Sequence, residues 1–387
     1  MDFTISDEHE QFATNLRRYF AERHPVSESR RLFDSPAGFE PRAWRTLADE
    51  LGAQGLAVPE RYGGSGFGYE ELAMVFEAAG ECLASLPLLS TSGLATPVLV
   101  ESGDETAQQR YLPRIAAGEL VATLALSEGA AGLDRRTTVV TAERHGDRYE
   151  LRGEARFVID GATADLVLVP AMTDDGLSVF AVDAPDATVK ATPLVTLDLT
   201  RRQADLAFDR TPATLVGPEG EAEGLLGHCL RLAVVMLASE QIGGAGRVLE
   251  MSSEYAKVRY QFGRPIGSFQ AIKHKCADML VQVETARSAA FYARRVAVRD
   301  PEELPVAASL AKAYCSDAYL FCTAQNIQVH GGTGFTWDND AHLYFRRAKS
   351  TSMLLGTPTY HRLSLARQVG MCAGMPSQSS GRPGIVS

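Results

Sequence analysis

The chain has 387 residues, enough for two or three domains, and 45% of them are hydrophobic, which suits a large core. Its net charge of −10 and its isoelectric point near 5.4 argue against nucleic acids and anionic membranes as partners. We find no apolar run of the roughly 20 residues that cross a bilayer and no signal-peptide pattern at the acidic N-terminus, so we expect a cytoplasmic protein.

Residues 1–120 read as an α-helical domain, because apolar residues recur at helical spacing in four segments. Ser6 or Asp7 is the expected N-cap of the first segment, where Glu10 completes a capping box with Asp7 and Pro25 ends the helix. The Gly-rich stretch 63–68 is preceded by no strand, so we interpret it as a turn rather than a dinucleotide fingerprint. The predicted helices cover residues 6–24, 41–55, 69–89 and 104–120.

Residues 121–218 differ in composition from the segments on either side. Short segments rich in Val, Thr and Leu alternate with Gly, Asp and Pro. This pattern predicts an all-β domain, either a small barrel or a sandwich.

Residues 219–370 return to helices, and these are longer. Three broadly apolar segments and a fourth element suit a four-helix bundle. No strand–helix–strand alternation appears anywhere, so we expect no Rossmann domain. The predicted elements cover residues 225–260, 268–298, 304–332 and 338–369, and the Gly/Ser/Pro-rich residues 371–387 form a flexible tail.

The six cysteines form no CxxC pair, and the histidines form no HExxH motif. Cysteines spaced in this way are typical of buried, unpaired thiols. We therefore expect no metal site.

Four stretches combine glycines with polar or aromatic residues at the ends of predicted elements. In "YAKVRYQFGRPIGSFQAIKH", Arg259 lies in the last turn of a predicted long helix, just before a turn that Gly263 and Pro265 force. Its guanidinium either complements the helix dipole or, with the nearby aromatic rings, binds a pyrophosphate and an adenine. The other three stretches are "ALSEGAAGLD" at 125–134, "GEARFVIDGATAD" at 153–165 and "QNIQVHGGTGFTWDND" at 325–340.

Together, and in this order, these stretches strongly resemble the acyl-CoA dehydrogenase family over about residues 1–370. The first stretch matches the family signature YAxxRxQFGxPI…FQ. The others are similar to the loop A-x-T-E-P-x-A-G-S-D, the strand W-I-T-N-G and the turn Q-x-x-G-G-x-G-F. The resemblance implies an α+β multidomain fold: an N-terminal α-helical domain, a middle β-barrel and a C-terminal four-helix bundle.

The resemblance also implies FAD, bound between the barrel and the bundle. Family members lay the flavin ring against the A-x-T-E loop and the W-I-T strand. The Arg and Phe of RxQFG reach the nucleotide end of an FAD held mostly by a neighbouring subunit, so at least a dimer follows. The matching positions are Leu126, Ser127, Phe157 and Ile159 around the ring, Arg259, Gln261, Phe262, Gln270, Gln328 and Gly332 around the nucleotide, and Thr357 in the terminal segment.

Three departures from the family pattern lie near the expected flavin and CoA. Ile159 replaces the Thr that donates a hydrogen bond to flavin N5, and Phe157 replaces the stacking Trp. Leu133 replaces a loop Ser that contacts CoA. We expect FAD to bind with altered redox tuning.

The family's catalytic base is missing. In the family, a carboxylate removes the α-proton of an acyl-CoA thioester while the β-hydrogen leaves as hydride to the flavin. The thioester carbonyl is polarised by a backbone N–H and a ribitol hydroxyl. The commonest base is the Glu of a terminal E-G-T segment, where this chain has Leu355, whose backbone N–H can still reach a carbonyl.

Some family members carry the base on the first long bundle helix instead. Counting back from Arg259 places that position at Ala233, with Val234 where a family Arg would stand. Glu240 is the nearest carboxylate on this helix, about 10 Å further along its axis. It serves either as the base or as a buried structural or partner-pairing residue. The remaining candidates are His361, Tyr360 and Asp338.

Two explanations fit the missing base. The first, which we favour, is a heteromeric acyl-CoA dehydrogenase, as in actinobacterial members that pair a base-bearing subunit with a base-less one. Its partners would be an acyl-CoA substrate, an electron-transferring-flavoprotein-like acceptor and a second family chain. The second is a flavin-dependent monooxygenase or oxidase on the same fold. A non-catalytic subunit that binds only FAD or acyl-CoA is a third reading.

Overall fold

The computed structural model describes residues 6–126, 140–146, 148–184 and 186–371. Its N-terminal part is helical, as predicted. Ser6 is the first N-cap, because its hydroxyl accepts a hydrogen bond from the His9 N–H at 3.3 Å. The predicted capping box between Asp7 and Glu10 is wrong, since Asp7 already lies inside the helix. The helices are α1 (Asp7–Arg23), α2 (Val26–Arg31), α3 (Pro41–Leu51), α4 (Tyr69–Glu81), α5 (Thr96–Glu101) and α6 (Glu105–Ala116).

The predicted helix over 69–89 is shorter in the structure. It ends at Glu81, and Leu83 then adopts a positive φ of 50°, which a continuous helix does not allow. After Pro87, the chain forms a π-helical segment, Leu89–Ala95, in which every residue is buried. π-Helical turns are rare, and they occur frequently at functional sites.

The middle part forms a closed barrel, which confirms the barrel alternative over the sandwich. Five strands pair in the ring β4–β2–β3–β7–β5 and back to β4, while β1 pairs with β4 and β6 pairs with β7. Closure removes free strand edges from the ring. The strands are β1 (Ala122–Leu124), β2 (Thr141–His145), β3 (Arg148–Ile159), β4 (Leu166–Thr173), β5 (Gly176–Asp183), β6 (Val189–Pro193) and β7 (Gln203–Val216).

The C-terminal part is the predicted bundle, with one difference. The expected fourth element over 338–369 consists of two helices, because the chain leaves the helical conformation between Leu354 and Thr357. A two-stranded hairpin joins the first two long helices. The elements are α7 (Ala222–Val258), β8 (Tyr260–Gln261), β9 (Arg264–Pro265), α8 (Gln270–Arg299), α9 (Leu304–His330), α10 (Ala341–Met353) and α11 (Pro358–Gln368).

Among the residues that the structure describes, one helix, α7, is long and apolar enough to cross a membrane, contrary to our expectation from the sequence. The best window of α7 has a mean hydropathy of 1.4. However, 67% of that window is buried inside the protein, where α7 packs against α4, α8 and α9. Burial by protein rather than lipid accounts for its apolar composition, so we interpret α7 as the central helix of the core.

The N-terminal helices contact the bundle through glycines. A Cβ atom on Gly243 of α7 would lie 1.9 Å from the Glu77 carbonyl oxygen of α4, and one on Gly80 would lie 2.1 Å from that of Glu240. Only glycine permits this approach of the two helix backbones. The first and last parts of the chain are therefore held in close register.

The cysteines in the described part of the chain are unpaired. Cys229, Cys315 and Cys322 are buried, as predicted, and Cys82 and Cys276 are half-buried. Burial raises the pKa of Cys322 to about 12 and that of Cys82 to about 11, so these groups remain thiols at neutral pH.

Candidate functional site

The hairpin between α7 and α8 presents an aromatic ring to solvent. Its turn residues, Phe262 and Gly263, both have positive φ values, 53° and 76°, as a two-residue type I′ turn requires. A bulky residue rarely adopts this conformation, and the strain is tolerated here. The Phe262 side chain is 91% exposed and meets Phe269 edge-on, with ring centroids 6.1 Å apart.

Arg259 lies at the base of this hairpin. Its backbone is fixed, because its N–H donates to Tyr255 O at 2.9 Å and its carbonyl accepts from Ile266 N at 2.8 Å. The side chain is exposed, and its guanidinium makes no hydrogen bond or ion pair with the residues that the structure describes. Because the backbone is held by hydrogen bonds and the guanidinium is exposed, Arg259 can bind an anionic ligand.

The end of α9 meets the same corner. Tyr255 stacks on His330 with ring centroids 4.2 Å apart, and a small apolar cluster joins the hairpin to α7 and α9. Gln328 and Gly332 are exposed, and a Cβ atom on Gly332 would meet nothing within 4 Å. This corner thus combines a cation, an exposed ring and backbone that a ligand can approach, which together fit the nucleotide end of FAD. The predicted residues here are Arg259, Gln261, Phe262, Gln270, Gln328 and Gly332.

The residues predicted around the flavin ring lie at the end of β3. A β-bulge between Ala155 and Val158 carries Phe157, which has a φ of 58° and is 42% exposed. Bulges re-aim side chains near functional sites, and an exposed ring here fits stacking on a flat ligand. Ile159 is buried and Leu126 is half-buried. Ser127 and Leu133 lie outside the described residues.

The ring set and the nucleotide set are far apart within one chain. Ile159 pairs with Gln203, close to Arg201, which contacts Glu240 on α7. Glu240 precedes Arg259 by nineteen residues, a distance of about 28 Å along the helix axis. This separation supports two half-sites completed by another chain rather than one site within a single chain.

The segment that holds the family's base position retains a strained backbone. Leu355 has a φ of 54° and Gly356 a φ of 98°. His361 Nε2 lies 2.8 Å from the Leu355 carbonyl oxygen, and burial lowers the pKa of His361 to about 4. The imidazole is therefore neutral at pH 7 and donates its Nε2–H to Leu355. The alternative base position, Ala233, and the neighbouring Val234, which matches a family Arg, are buried and apolar.

Two further contacts hold the same segment. The fully buried Lys312 donates to the Thr351 carbonyl oxygen at 3.0 Å and to Ser316 Oγ at 2.9 Å. Burial lowers the pKa of Lys312 to about 7. Thr357 caps α11, because its hydroxyl accepts a hydrogen bond from the Tyr360 N–H at 3.2 Å. The segment is thus clamped from both sides.

The structure argues against Glu240 as the base. Its carboxylate accepts from Arg201 at 2.6 Å and from Arg347 at 2.7 Å, and it is buried. Burial alone would raise the pKa of Glu240, but the two guanidinium groups hold it below its ordinary value. Such a carboxylate is a poor proton acceptor, so the structural role is favoured for Glu240.

Sequence reasoning missed the rest of this buried charge network. Arg347 also contacts Asp198 at 2.7 Å and donates to Thr200. The loop after β6 is thereby fastened to α7 and α10. Arg347 is more than one hundred residues away in sequence from Thr200 and Glu240. The local signal is the presence of charged residues on otherwise apolar helices.

The remaining candidate bases are poorly placed. Asp338 is exposed beyond the start of α10, a helix about 20 Å long whose opposite end carries the base segment. Tyr360 is 37% exposed, and burial raises its pKa. Neither is ready to remove a proton near Leu355 at neutral pH.

Comparison with known proteins decides the family. Models described as the acyl-CoA dehydrogenase N-terminal and C-terminal domains match residues 6–119 and 226–370. Acyl-CoA dehydrogenase IpdE2 of Mycolicibacterium smegmatis is 35% identical over 340 residues, which cover 87% of this chain and 91% of the relative. The chain belongs to the acyl-CoA dehydrogenase family. Acyl-CoA dehydrogenases are FAD-dependent oxidoreductases that act on a CH–CH bond of an acyl-CoA, which confirms the expected cofactor and enzyme class.

Two solved acyl-CoA dehydrogenase structures share the complete fold. The ChsE4-ChsE5 complex from Mycobacterium tuberculosis has a TM-score of 0.86 and 30% identity, and the match covers 97% of this chain and 100% of that one. A variant of the Tcur3481-Tcur3483 steroid ACAD has a TM-score of 0.85 and 29% identity, with 96% and 100% covered. The three-part architecture expected from the sequence is therefore confirmed.

Proposed function

We propose that this chain is the base-less subunit of a heteromeric acyl-CoA dehydrogenase that carries out the α,β-dehydrogenation of an acyl-CoA thioester. The observation that carries the proposal lies in the base segment. Leu355 keeps a left-handed backbone conformation, but its side chain cannot accept a proton. Glu240, the nearest alternative carboxylate on α7, is held between two arginines. A second, related chain would supply the missing carboxylate.

The comparisons support assembly with a different chain. Each of the two structural relatives above pairs two differently named chains, ChsE4 with ChsE5 and Tcur3481 with Tcur3483. The second of these is described as a steroid enzyme, which supports a bulky, polycyclic acyl group as the substrate class. An electron-transferring-flavoprotein-like acceptor would reoxidise the cofactor. We keep the cytoplasmic location as a prediction.

The residues of this chain have distinct proposed roles. FAD, when bound, accepts the hydride from the β-carbon. Arg259 and Phe262 would hold the pyrophosphate and adenine of a flavin seated mainly in the neighbouring chain, since both side chains are exposed here. Phe157 would pack on the flavin ring of this chain's own half-site. The Leu355 backbone N–H would donate to the thioester carbonyl.

Restoring the carboxylate tests the proposal. The purified chain should show little dehydrogenase activity with an artificial electron acceptor. Leu355→Glu should raise the rate by roughly 10²- to 10⁴-fold, because that is what a placed general base contributes. Leu355→Gln is the matched control, since it has nearly the same shape but accepts no proton. Robust turnover of acyl-CoA by the unmodified chain alone would contradict the base-less reading.

One observation favours a second candidate, a flavin-dependent monooxygenase or oxidase. Ile159 stands where the family hydroxyl meets flavin N5, and its side chain is buried and has no donor. Loss of that hydrogen bond suits altered flavin chemistry. Oxygen consumption by the reduced protein, together with no bleaching of the flavin by any acyl-CoA, would select this candidate over dehydrogenation.

A further inference from the structure

Arg201 has a buried donor without an acceptor. Its side chain is 9% exposed, and Nη2 donates to Glu240 Oε2 at 2.6 Å. The Nη1 atom is also buried, yet it has no hydrogen-bond partner among the residues that the structure describes. A buried donor without a partner is costly, and more so when the group is charged, so this N–H calls for a ligand acceptor.

Arg201 lies beside the half-site for the flavin ring. Ile159 pairs with Gln203, and the Asp160 N–H donates to the Arg202 carbonyl oxygen at 3.0 Å. Arg201 therefore lies two residues before β7, at the end of the β3–β7 pairing that includes Ile159. Its guanidinium points inward to α7, away from the exposed corner at Arg259.

The burial of Arg201 limits which part of a ligand can reach it. The phosphates and adenine of CoA and FAD are strongly hydrated groups, and the exposed corner provides their contacts. An acyl chain is the part of a thioester substrate that leaves water for an apolar pocket. An oxygen atom carried on that acyl group is thus the acceptor that fits the Nη1 donor.

The local charges decide the chemical type of this oxygen. Arg201 and Arg347 are balanced by Glu240 and Asp198. Asp160 also lies nearby, where it accepts a hydrogen bond from Ser90 Oγ at 2.6 Å. Burial raises the pKa of Asp160 to about 6, with opposing contributions from the arginines, so it adds negative charge at neutral pH. Arg202 also acts on Asp160. Among the described residues, three arginines thus face three carboxylates, and no surplus positive charge remains for a ligand carboxylate.

We propose that Arg201 determines substrate specificity by donating its Nη1–H to a neutral oxygen, a ketone or hydroxyl, on the acyl group of the acyl-CoA. The inference rests on the proposed function, because it assumes that an acyl-CoA enters this half-site. The substrate class is an oxygenated acyl-CoA rather than a plain fatty acyl-CoA. The unpaired donor is then satisfied only when an oxygenated acyl group is bound.

The test measures binding without turnover. The full chain, loaded with FAD and with any partner that co-purifies, is titrated calorimetrically with plain octanoyl-CoA and with isomers that carry a ketone at each of the outer carbons. The best ketone isomer should bind at least about tenfold more tightly than the plain chain, as expected for a hydrogen bond to a charged donor. An analogue with a terminal carboxylate should gain nothing.

Variants assign the effect to Arg201. Arg201→Met should abolish the preference for the ketone, and Arg201→Lys, which keeps a cation beside Glu240, replaces it if the Met variant does not fold. Arg202→Met is the matched control, because the Arg202 guanidinium donates to the backbone carbonyls of Leu32, Phe33 and Ser35 instead. The control should retain the preference.

The outcomes separate this inference from the proposed function. Equal binding of ketone and plain acyl-CoA, or tighter binding of the carboxylate, would overturn the assignment of Arg201 and leave the dehydrogenase proposal standing. A ketone preference that survives in the Arg201 variants would overturn it as well. Failure of every acyl-CoA to bind would remove the proposed function, and this inference with it.

Discussion

Replacing Arg347 by methionine should strongly destabilise the protein. The Arg347 side chain is 3% exposed and contacts Asp198 and Glu240, both at 2.7 Å. Methionine fills similar space without charge, so the two carboxylates lose a shared cation. Glu240 keeps Arg201, but the described residues offer Asp198 no second ion-pair partner.

The expected loss is about 3–5 kcal/mol of unfolding free energy, because the change leaves an uncompensated charge in the interior. Arg346→Met is the matched control on the neighbouring position. Arg346 is half-buried and donates a single hydrogen bond to Leu197 O at 3.3 Å, so its loss should cost about 1 kcal/mol or less.

Urea denaturation followed by circular dichroism, at pH 7 and at acidic pH, measures both variants. The arginines hold the pKa of Glu240 below its ordinary value, so this stabilisation is complete above the pKa of an unfolded Glu and is lost as the pH falls through the folded pKa. The gap between wild type and Arg347→Met should therefore narrow in acid. Equal losses at 346 and 347, or a gap independent of pH, would refute this reasoning.

Three further predictions follow from close contacts, exposure and burial. Gly243→Ala should destabilise the protein by about 1–3 kcal/mol, because its Cβ would lie 1.9 Å from Glu77 O. Gly224→Ala, in the same helix, is the control: its Cβ would meet nothing within 4 Å, so the free energy of unfolding in urea should be unchanged or slightly higher. Phe262→Ala should lower the flavin-to-protein ratio after gel filtration without changing the melting temperature, since the ring is 91% exposed; an unchanged ratio would count against the nucleotide site. Lys312 has a pKa lowered from 10.5 to about 7 by burial, so the stability of wild type relative to Lys312→Met should rise between about pH 7 and 10.5, and a constant difference would disprove this.

Features with short-range causes were predictable. The long helix, a turn forced by Gly263 and Pro265 and the following helix were all predicted from neighbouring residues, because periodicity and turn chemistry act over a few positions. The barrel was predicted from strand composition and the resemblance together. The helix over 69–89 was misjudged, since apolar periodicity continued while Leu83 and Pro87 interrupted the backbone.

The candidate site, too, was predictable only in part from the sequence. The motifs predict the corner residues around Arg259 and the loss of the base at Leu355. They did not reveal that Glu240 is neutralised by two arginines, or that Arg201 retains a buried donor. Those facts depend on which distant side chains share one interior space, a property that no local window contains.

The sequence by itself therefore determined the order of helical, β and helical parts and the family, and it predicts the absent carboxylate. Tertiary structure alone decided the protonation behaviour of Glu240, Lys312 and Asp160, because a pKa depends on burial and on charges brought close by folding. It also decided the separation between the residues predicted around the flavin ring and those predicted around the nucleotide, because a helix of 37 residues lies between them.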